Sequence, residues 1–156
     1  MSEFRTIAEA VAGIGVLYPE RTFVFQDMRG DETTYRFQDL ERDTARRAAG
    51  LQAMGLKKGD RFGLVIIEPE AFVLSFLAAT RMGAIPVPLY PPLSFGSLDA
   101  YADKAVNILT NAEATLLLAS DRLKNVLWSL VDRVPPLRKL VPVEDLTEVQ
   151  GEPTLP

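Results

Sequence analysis

The two side chains most often placed at the centre of enzyme chemistry are missing from this chain: it has no histidine and no cysteine. Their absence excludes imidazole general bases, Ser-His-Asp and Cys-His nucleophiles, thiolate catalysis, disulfides and the usual zinc sites. What remains is carboxylate, lysine, tyrosine or hydroxyl chemistry. A basic excess is missing too. With 17 Lys+Arg against 21 Asp+Glu the formal net charge is -4, which leaves little from which to build the phosphate-neutralising face that nucleic-acid binding needs. The one basic cluster, Arg42, Arg46 and Arg47 followed by Lys57, Lys58 and Arg61, is interleaved with Asp39, Glu41, Asp43 and Asp60. It reads as a solvated helix face. No apolar run approaches the ~18 residues that span a bilayer, and Met1-Ser2-Glu3-Phe4-Arg5 lacks the apolar core of a signal peptide. A cytoplasmic location is expected.

What is present has the composition of a soluble globular domain, 47% hydrophobic and 24% charged, and its length suits one domain. Apolar residues at helical spacing (Ile7, Ala8, Val11, Ala12, Ile14) give a first helix that stops at Tyr18-Pro19. Thr22 to Gln26 and Thr33 to Phe37 are β-branched and aromatic, and the turn-rich Asp27-Met28-Arg29-Gly30-Asp31 between them predicts a hairpin. An amphipathic helix follows from about Gln38 to Met54, with Leu40, Thr44, Ala48 and Leu51 on one face and Gly55 as its C-terminal cap.

From Arg61 the pattern becomes regular. Arg61 to Ile67 is apolar almost throughout, as a strand covered on both faces should be. Glu70 to Met82 is a helix burying Phe72, Phe76 and Ala79 and closed by Gly83; Ile85 to Leu89 is extended; Leu98 to Ala112 is a helix. Thr115 to Ala119 is a strand, Ser120 caps a helix from Asp121 to Val131, and Arg138 to Val143 is a last extended piece. This alternation argues an α/β fold: a mostly parallel sheet with flanking helices, preceded by a helix and a β-hairpin. Pro86, Pro88 and Pro142 each remove a ladder donor, so those strands are edge-like in part. Residues 1–143 form the expected domain. Residues 144–156 carry acids, Gly151, Pro153 and Pro156 but no base, and read as a linker-like tail.

Little in this frame looks like chemistry. Gly13-Ile14-Gly15 opens like a dinucleotide fingerprint, yet Tyr18 stands at the third glycine position and no strand precedes it. We read it as the fraying end of the first helix. No G-x-x-x-x-G-K-[ST] phosphate loop occurs. Ser94-Phe95-Gly96-Ser97 is read as a turn with Ser97 near a helix N-cap. Glu68 and Glu70 follow a strand's carboxyl end, where α/β folds place ligands, and are read as solvated loop acids flanking Pro69. Ser120 and Asp121 are assigned to capping, and Tyr90-Pro91-Pro92 to a stiff turn that could also wall a crevice. Phe72, Phe76 and Trp128 are expected to be core or subdomain contacts. No residue is assigned as catalytic, cofactor-binding or metal-binding.

The order of motifs resembles the N-terminal part of the adenylate-forming enzymes, which include acyl-CoA synthetases, luciferases and peptide-synthetase adenylation domains. The matching pieces are Tyr35-Arg36-Phe37-Gln38-Asp39-Leu40, Gly55-Leu56-Lys57-Lys58-Gly59-Asp60-Arg61, Phe76-Leu77-Ala78-Ala79 and Arg81-Met82-Gly83-Ala84-Ile85-Pro86-Val87-Pro88. Pro88-Leu89-Tyr90-Pro91-Pro92-Leu93 followed by Leu98-Asp99-Ala100-Tyr101 looks most like the fatty acyl-AMP ligases. The resemblance runs from about Ile7 to Val143. It implies a complete ligase that activates a fatty acid with ATP and Mg to an acyl-adenylate and passes the acyl group to acyl carrier protein or coenzyme A. The family's T-S-G-S-T-G-x-P-K type loop, its adenine- and ribose-binding segments and its C-terminal lysine are not found here, so no family catalytic residue transfers to a position of this chain. The resemblance therefore implies a scaffold, inactive alone.

Two other classes stay open at this stage. One is a non-catalytic α/β binding module that self-associates through an exposed sheet edge. The other is a flavodoxin-like or receiver-type domain. Its paired acids and lysine do not match the strand ends Glu68, Tyr90, Ser120 and Glu144.

Overall fold

The computed structural model describes residues 4–92 and 98–147. Helix α1 (Ile7–Leu17) is capped by Thr6, whose hydroxyl accepts from the Glu9 amide. The hairpin β1 (Thr22–Gln26) and β2 (Glu32–Arg36) follows, paired antiparallel from Thr22↔Arg36 to Gln26↔Glu32. Its turn is fixed from within: the Asp27 carboxylate accepts from the Arg29 and Asp31 amides at 2.8 and 2.9 Å, and Gly30 takes a φ of +88°. Helix α2 (Phe37–Ala53) buries Leu40, Thr44, Ala48 and Leu51, the expected face. Gly55 closes it in a left-handed conformation, φ +101°.

The second unit is a four-stranded parallel sheet in the order β4-β3-β5-β6. It comprises β3 (Arg61–Val65), β4 (Ile85–Pro88), β5 (Leu116–Ala119) and β6 (Lys139–Pro142). Helices α3 (Pro69–Arg81) and α4 (Leu98–Asn111) connect the first three strands. Side chains alternate across the sheet, as a pleated strand dictates. Phe62, Leu64, Ile66, Leu116, Leu118 and Val141 pack with α2 and α3. Val65, Leu117, Ala119 and Leu140 pack with α4 and the segment that follows β5. Both faces are therefore dry, which explains why β3 and β5 are apolar throughout. Where α3 meets α2, the buried Arg81 pairs with Glu41 at 2.7 Å.

Five expectations are corrected. The helix expected over Asp121 to Val131 is a 3-10 turn (Asp121–Leu123), then α5 (Lys124–Leu127) and α6 (Ser129–Arg133). The buried residues Leu123, Leu127, Leu130 and Val134 keep a helical stripe, but the Val131 amide donates to Trp128 O, three residues back, and tightens the run there. Of the two roles expected for Trp128, core and subdomain contact, the first is excluded: it falls off that stripe and is 53% exposed. On α3 the fully buried face is Leu74, Ser75, Ala78 and Ala79, with Phe72 and Phe76 half-buried beside it. Arg47 is not on a solvated face: it is buried with α2's apolar residues, while Arg42 and Arg46 stay outside in ion pairs with Asp39 and Asp43. Gly13 to Gly15 lie within α1 rather than at a frayed end, because Gly15 is the buried point where α1 meets α2, 3.1 Å from the Gln38 Cα to an added Cβ.

Past β6 the chain turns at once. Val143–Thr147 forms a 3-10 helix that returns to α2, where Leu146 is fully buried. A Cβ at Gly50 would stand 2.9 Å from the Leu146 carbonyl oxygen, so glycine permits this close docking. The Ser94–Ser97 turn lies outside the described residues.

Gly63 sits at the centre of the sheet, where an added Cβ would meet Leu109 Cδ2 at 2.6 Å and Leu117 Cδ1 at 2.7 Å. Both leucines are fully buried and cannot swing into solvent. Gly63→Ala is expected to destabilise the chain by about 1–3 kcal/mol through overpacking, read as a lower urea midpoint with an unchanged slope.

Candidate functional site

Chain order and sheet order together define one crevice. The chain leaves β3 for β4 on one side, then crosses back so that β5 joins β3 on the other. The connections therefore diverge between β3 and β5, and open α/β sheets bind ligands outside the carboxyl ends of such a strand pair. Those ends carry Ile67 and Glu68 after β3, and Ser120, Asp121 and Arg122 after β5. Tyr90 lies beyond β4 and Glu144 beyond β6.

The polar groups in the crevice are spent on one another. The Ser120 hydroxyl donates to Glu68 Oε2 at 2.5 Å and accepts from the Ile67 amide at 2.9 Å. The second Glu68 oxygen takes the Arg122 guanidinium at 2.8 Å. Glu144 accepts from the Asp121 amide at 3.2 Å. A hydroxyl beside a carboxylate has the outline of a nucleophile and its base. Ser120 is fully buried, however, and both its hydrogen-bonding roles are filled. It locks β5 to the loop after β3. Ser120 is thus not a helix cap, since no side-chain cap bond forms there, and Glu68 is not a free loop acid.

Glu70 is also engaged. The Tyr35 hydroxyl donates to Glu70 Oε1 at 2.5 Å, tying the hairpin to the first turn of α3. Burial pushes the Tyr35 phenol up to about 12, and the Glu70 carboxylate adds to the rise. The neighbouring Arg47 guanidinium is held below its usual value by burial, with Tyr35, Glu70, Asp43 and Glu144 opposing. Its Nη1 has no hydrogen-bond partner. On the exposed side of α2, the hydrogen bond from Arg36 holds the Asp39 carboxyl below its ordinary range.

Two clefts border the crevice. One, of about 400 Å³, lies between the hairpin turn (Asp27, Arg29, Asp31) and Glu68, Glu70 and Arg122. The other, of about 390 Å³, is apolar and lined by Ile66, Phe72, Pro88, Leu89, Tyr90 and Pro91. Tyr90, 82% exposed, lines this cleft with Pro91. Among the described residues, no group of three or more Asp or Glu side chains is placed to hold a metal ion. Among the described residues, no helix is long and apolar enough to cross a membrane.

The sequence matches the AMP-binding enzyme family over residues 15–154. The chain belongs to that family of adenylate-forming ligases. A feruloyl-CoA synthase from an Amycolatopsis species is 34% identical over 104 residues, covering 64% of this chain and 21% of that protein. An acetyl-coenzyme A synthetase from Deinococcus radiodurans is 30% identical over 105 residues, covering 65% and 15%. Among solved structures, a fatty acyl-adenylate ligase from work on the E. coli and L. pneumophila enzymes superposes with a TM-score of 0.81 at 22% identity, covering 99% of this chain and 28% of that one. McyG A-PCP complexed with phenylalanyl-adenylate gives a TM-score of 0.85 at 21% identity, covering 100% and 25%. The fold is that of the N-terminal domain of adenylate-forming enzymes. The chain spans between 9% and 21% of the length of the relatives it matches.

Two measurements probe this edge. Ser120→Ala removes a buried bond to a charged group and strands the Ile67 amide, for an expected loss of about 2 kcal/mol in urea unfolding. In a phenolate absorbance titration, Tyr35 and Tyr101, the latter also raised to about 12 by burial, should ionise late, and Tyr35→Phe should leave one late transition. The sign follows from the raised folded value: Tyr35 adds stability below its ordinary 10.0 that fades as pH climbs through about 12. Tyr35→Phe should flatten that part of the alkaline stability curve.

Proposed function

We propose that the chain is the N-terminal α/β layer of a fatty acyl-AMP ligase-like enzyme and is catalytically silent alone. The complete enzyme would join a fatty acid to ATP, releasing pyrophosphate, and pass the acyl group to acyl carrier protein or coenzyme A. The observation that carries this reading is the family match over residues 15–154 together with a strand-end crevice whose hydroxyl, amide and carboxylate satisfy each other. The fatty-acid preference rests on the resemblance of Pro88 to Leu93 and Leu98 to Tyr101, with an apolar cleft where Tyr90 and Pro91 leave the sheet.

In-line attack of a carboxylate on phosphorus needs neutralisation of developing charge, and among the described residues no acidic cluster is placed to hold the metal that would supply it. Residues 1–143 act as a platform, extended by the turn that docks Leu146, and the acidic remainder serves as a linker. A cytoplasmic setting suits this reading.

The test is a pyrophosphate-release assay with ATP, Mg and a long-chain fatty acid. The 156-residue chain should give no release above the protein-free blank. Turnover that scales with its concentration would sink the assignment.

A further inference from the structure

Where this fold brings an arginine beside a carboxylate the two pair, as Arg61 does with Glu113 and Arg122 with Glu68. One group of cations lacks such a partner. Lys57, Arg138 and Lys139 line a cleft of about 370 Å³, with Asp60 as the single carboxylate among the lining residues. The cleft lies at the amino ends of the strands, the opposite end of the sheet from the crevice: Lys57 and Asp60 precede β3, Thr115 precedes β5, and Arg138 and Lys139 open β6. Among the described residues, no ion pair engages any of the three cations. The backbone beneath them is pinned. The Lys57 amide donates to Asp60 Oδ2 at 2.8 Å, and the Asp60 amide donates to the Lys57 carbonyl at 3.1 Å. Gly59, at φ +86°, lets this turn close and donates to the Gly83 carbonyl at 2.8 Å. The Arg138 amide donates to the Thr115 carbonyl at 2.9 Å. Lys139 Nζ reaches the Met54 carbonyl at 3.4 Å and so offsets the negative carboxyl end of α2.

In a chain of net charge -4, this cleft is a local reversal of sign. A cleft lined by one sign of charge concentrates the opposite ion. We propose that it binds a small multivalent anion of the phosphate type. Such a group carries about two negative charges near neutral pH, the amount by which the lining cations exceed Asp60. Arg138 would hold it through two parallel hydrogen bonds, with Lys57 and Lys139 acting as point charges. Asp60 already gives one oxygen to the Lys57 amide. A concave site framed by fixed turns suits a small ion better than an acidic protein segment. This binding needs neither a fatty acid nor ATP, lies away from the strand-end crevice and goes beyond the proposed activity.

Titration of the chain with inorganic pyrophosphate at low ionic strength, followed by amide NMR shifts, tests the idea. Saturable shifts are expected at Lys57, Leu116 and Lys139, and none at Ile67 or Ser120. Added sodium chloride should weaken the binding steeply. Arg138→Gln and Lys57→Gln should each weaken it about tenfold, and Asp60→Asn should tighten it about threefold. Lys104→Gln, which removes an exposed cation on α4, should change nothing. The same spectra report that each variant is folded. Absent or non-saturating shifts, shifts centred on Ile67 and Ser120, equal weakening by Lys104→Gln, or tighter binding of a hexaglutamate peptide than of pyrophosphate would each overturn the proposal.

Discussion

The layer depends on a short approach at the middle of its sheet. Strand β3 must accept helices on both faces, and at Gly63 it does so with no side chain at all, letting Leu109 of α4 and Leu117 of β5 close over the backbone. Burial on both faces forces β3 and β5 to be apolar, and this sends the polar residues to the strand ends. The two hydrophobic clusters, one under α2 and α3 and one under α4 to α6, follow from that single condition.

At the strand ends, burial again governs the outcome. Buried hydroxyls usually find a local partner, and Ser120 finds two in Glu68 and the Ile67 amide. The same economy joins Tyr35 to Glu70. Crevice residues in an α/β enzyme ordinarily hold donors open for ligand. Here they brace the loops after β3 and β5 and fasten the hairpin to α3. These bonds hold the strand-end loops and the hairpin of a domain that belongs to the AMP-binding enzyme family.

Local rules carried much of this in the sequence. The unbroken apolar run of β3, the helical stripe of α2, and the glycines at 55 and 83, which take left-handed φ, each predicted what formed. Misreadings came where a distant partner decides. Ser120 looks like a cap because capping is a short-range habit; its actual partner, Glu68, is 52 residues away. Glu70 and Tyr35 are 35 apart, and no pattern near either announces the other. Arg47 lies beside Ala48 and across from Asp43, a setting that reads as surface. The hairpin and α3 bury it instead, and only the fold brings Tyr35 and Glu70 to it. Trp128 errs in the other direction, since size suggests burial but its place on the helix points it outward.

The prolines of β4 show how one local choice constrains both edge and exit. Proline at every second position removes only the donors facing away from β3, so the ladder through Ile85 and Leu89 survives intact while the outer edge is blunted. The run then continues into Tyr90-Pro91-Pro92, where fixed φ angles hold Tyr90 and Pro91 along the apolar cleft. Pro142 has the opposite phase. It sits where a donor to Ala119 would be needed, so it ends the β6 ladder and frees Val143–Thr147 to turn back onto α2. Proline phase, inward or outward, thus determines which edge is closed, where the cleft lies and where the chain leaves the sheet.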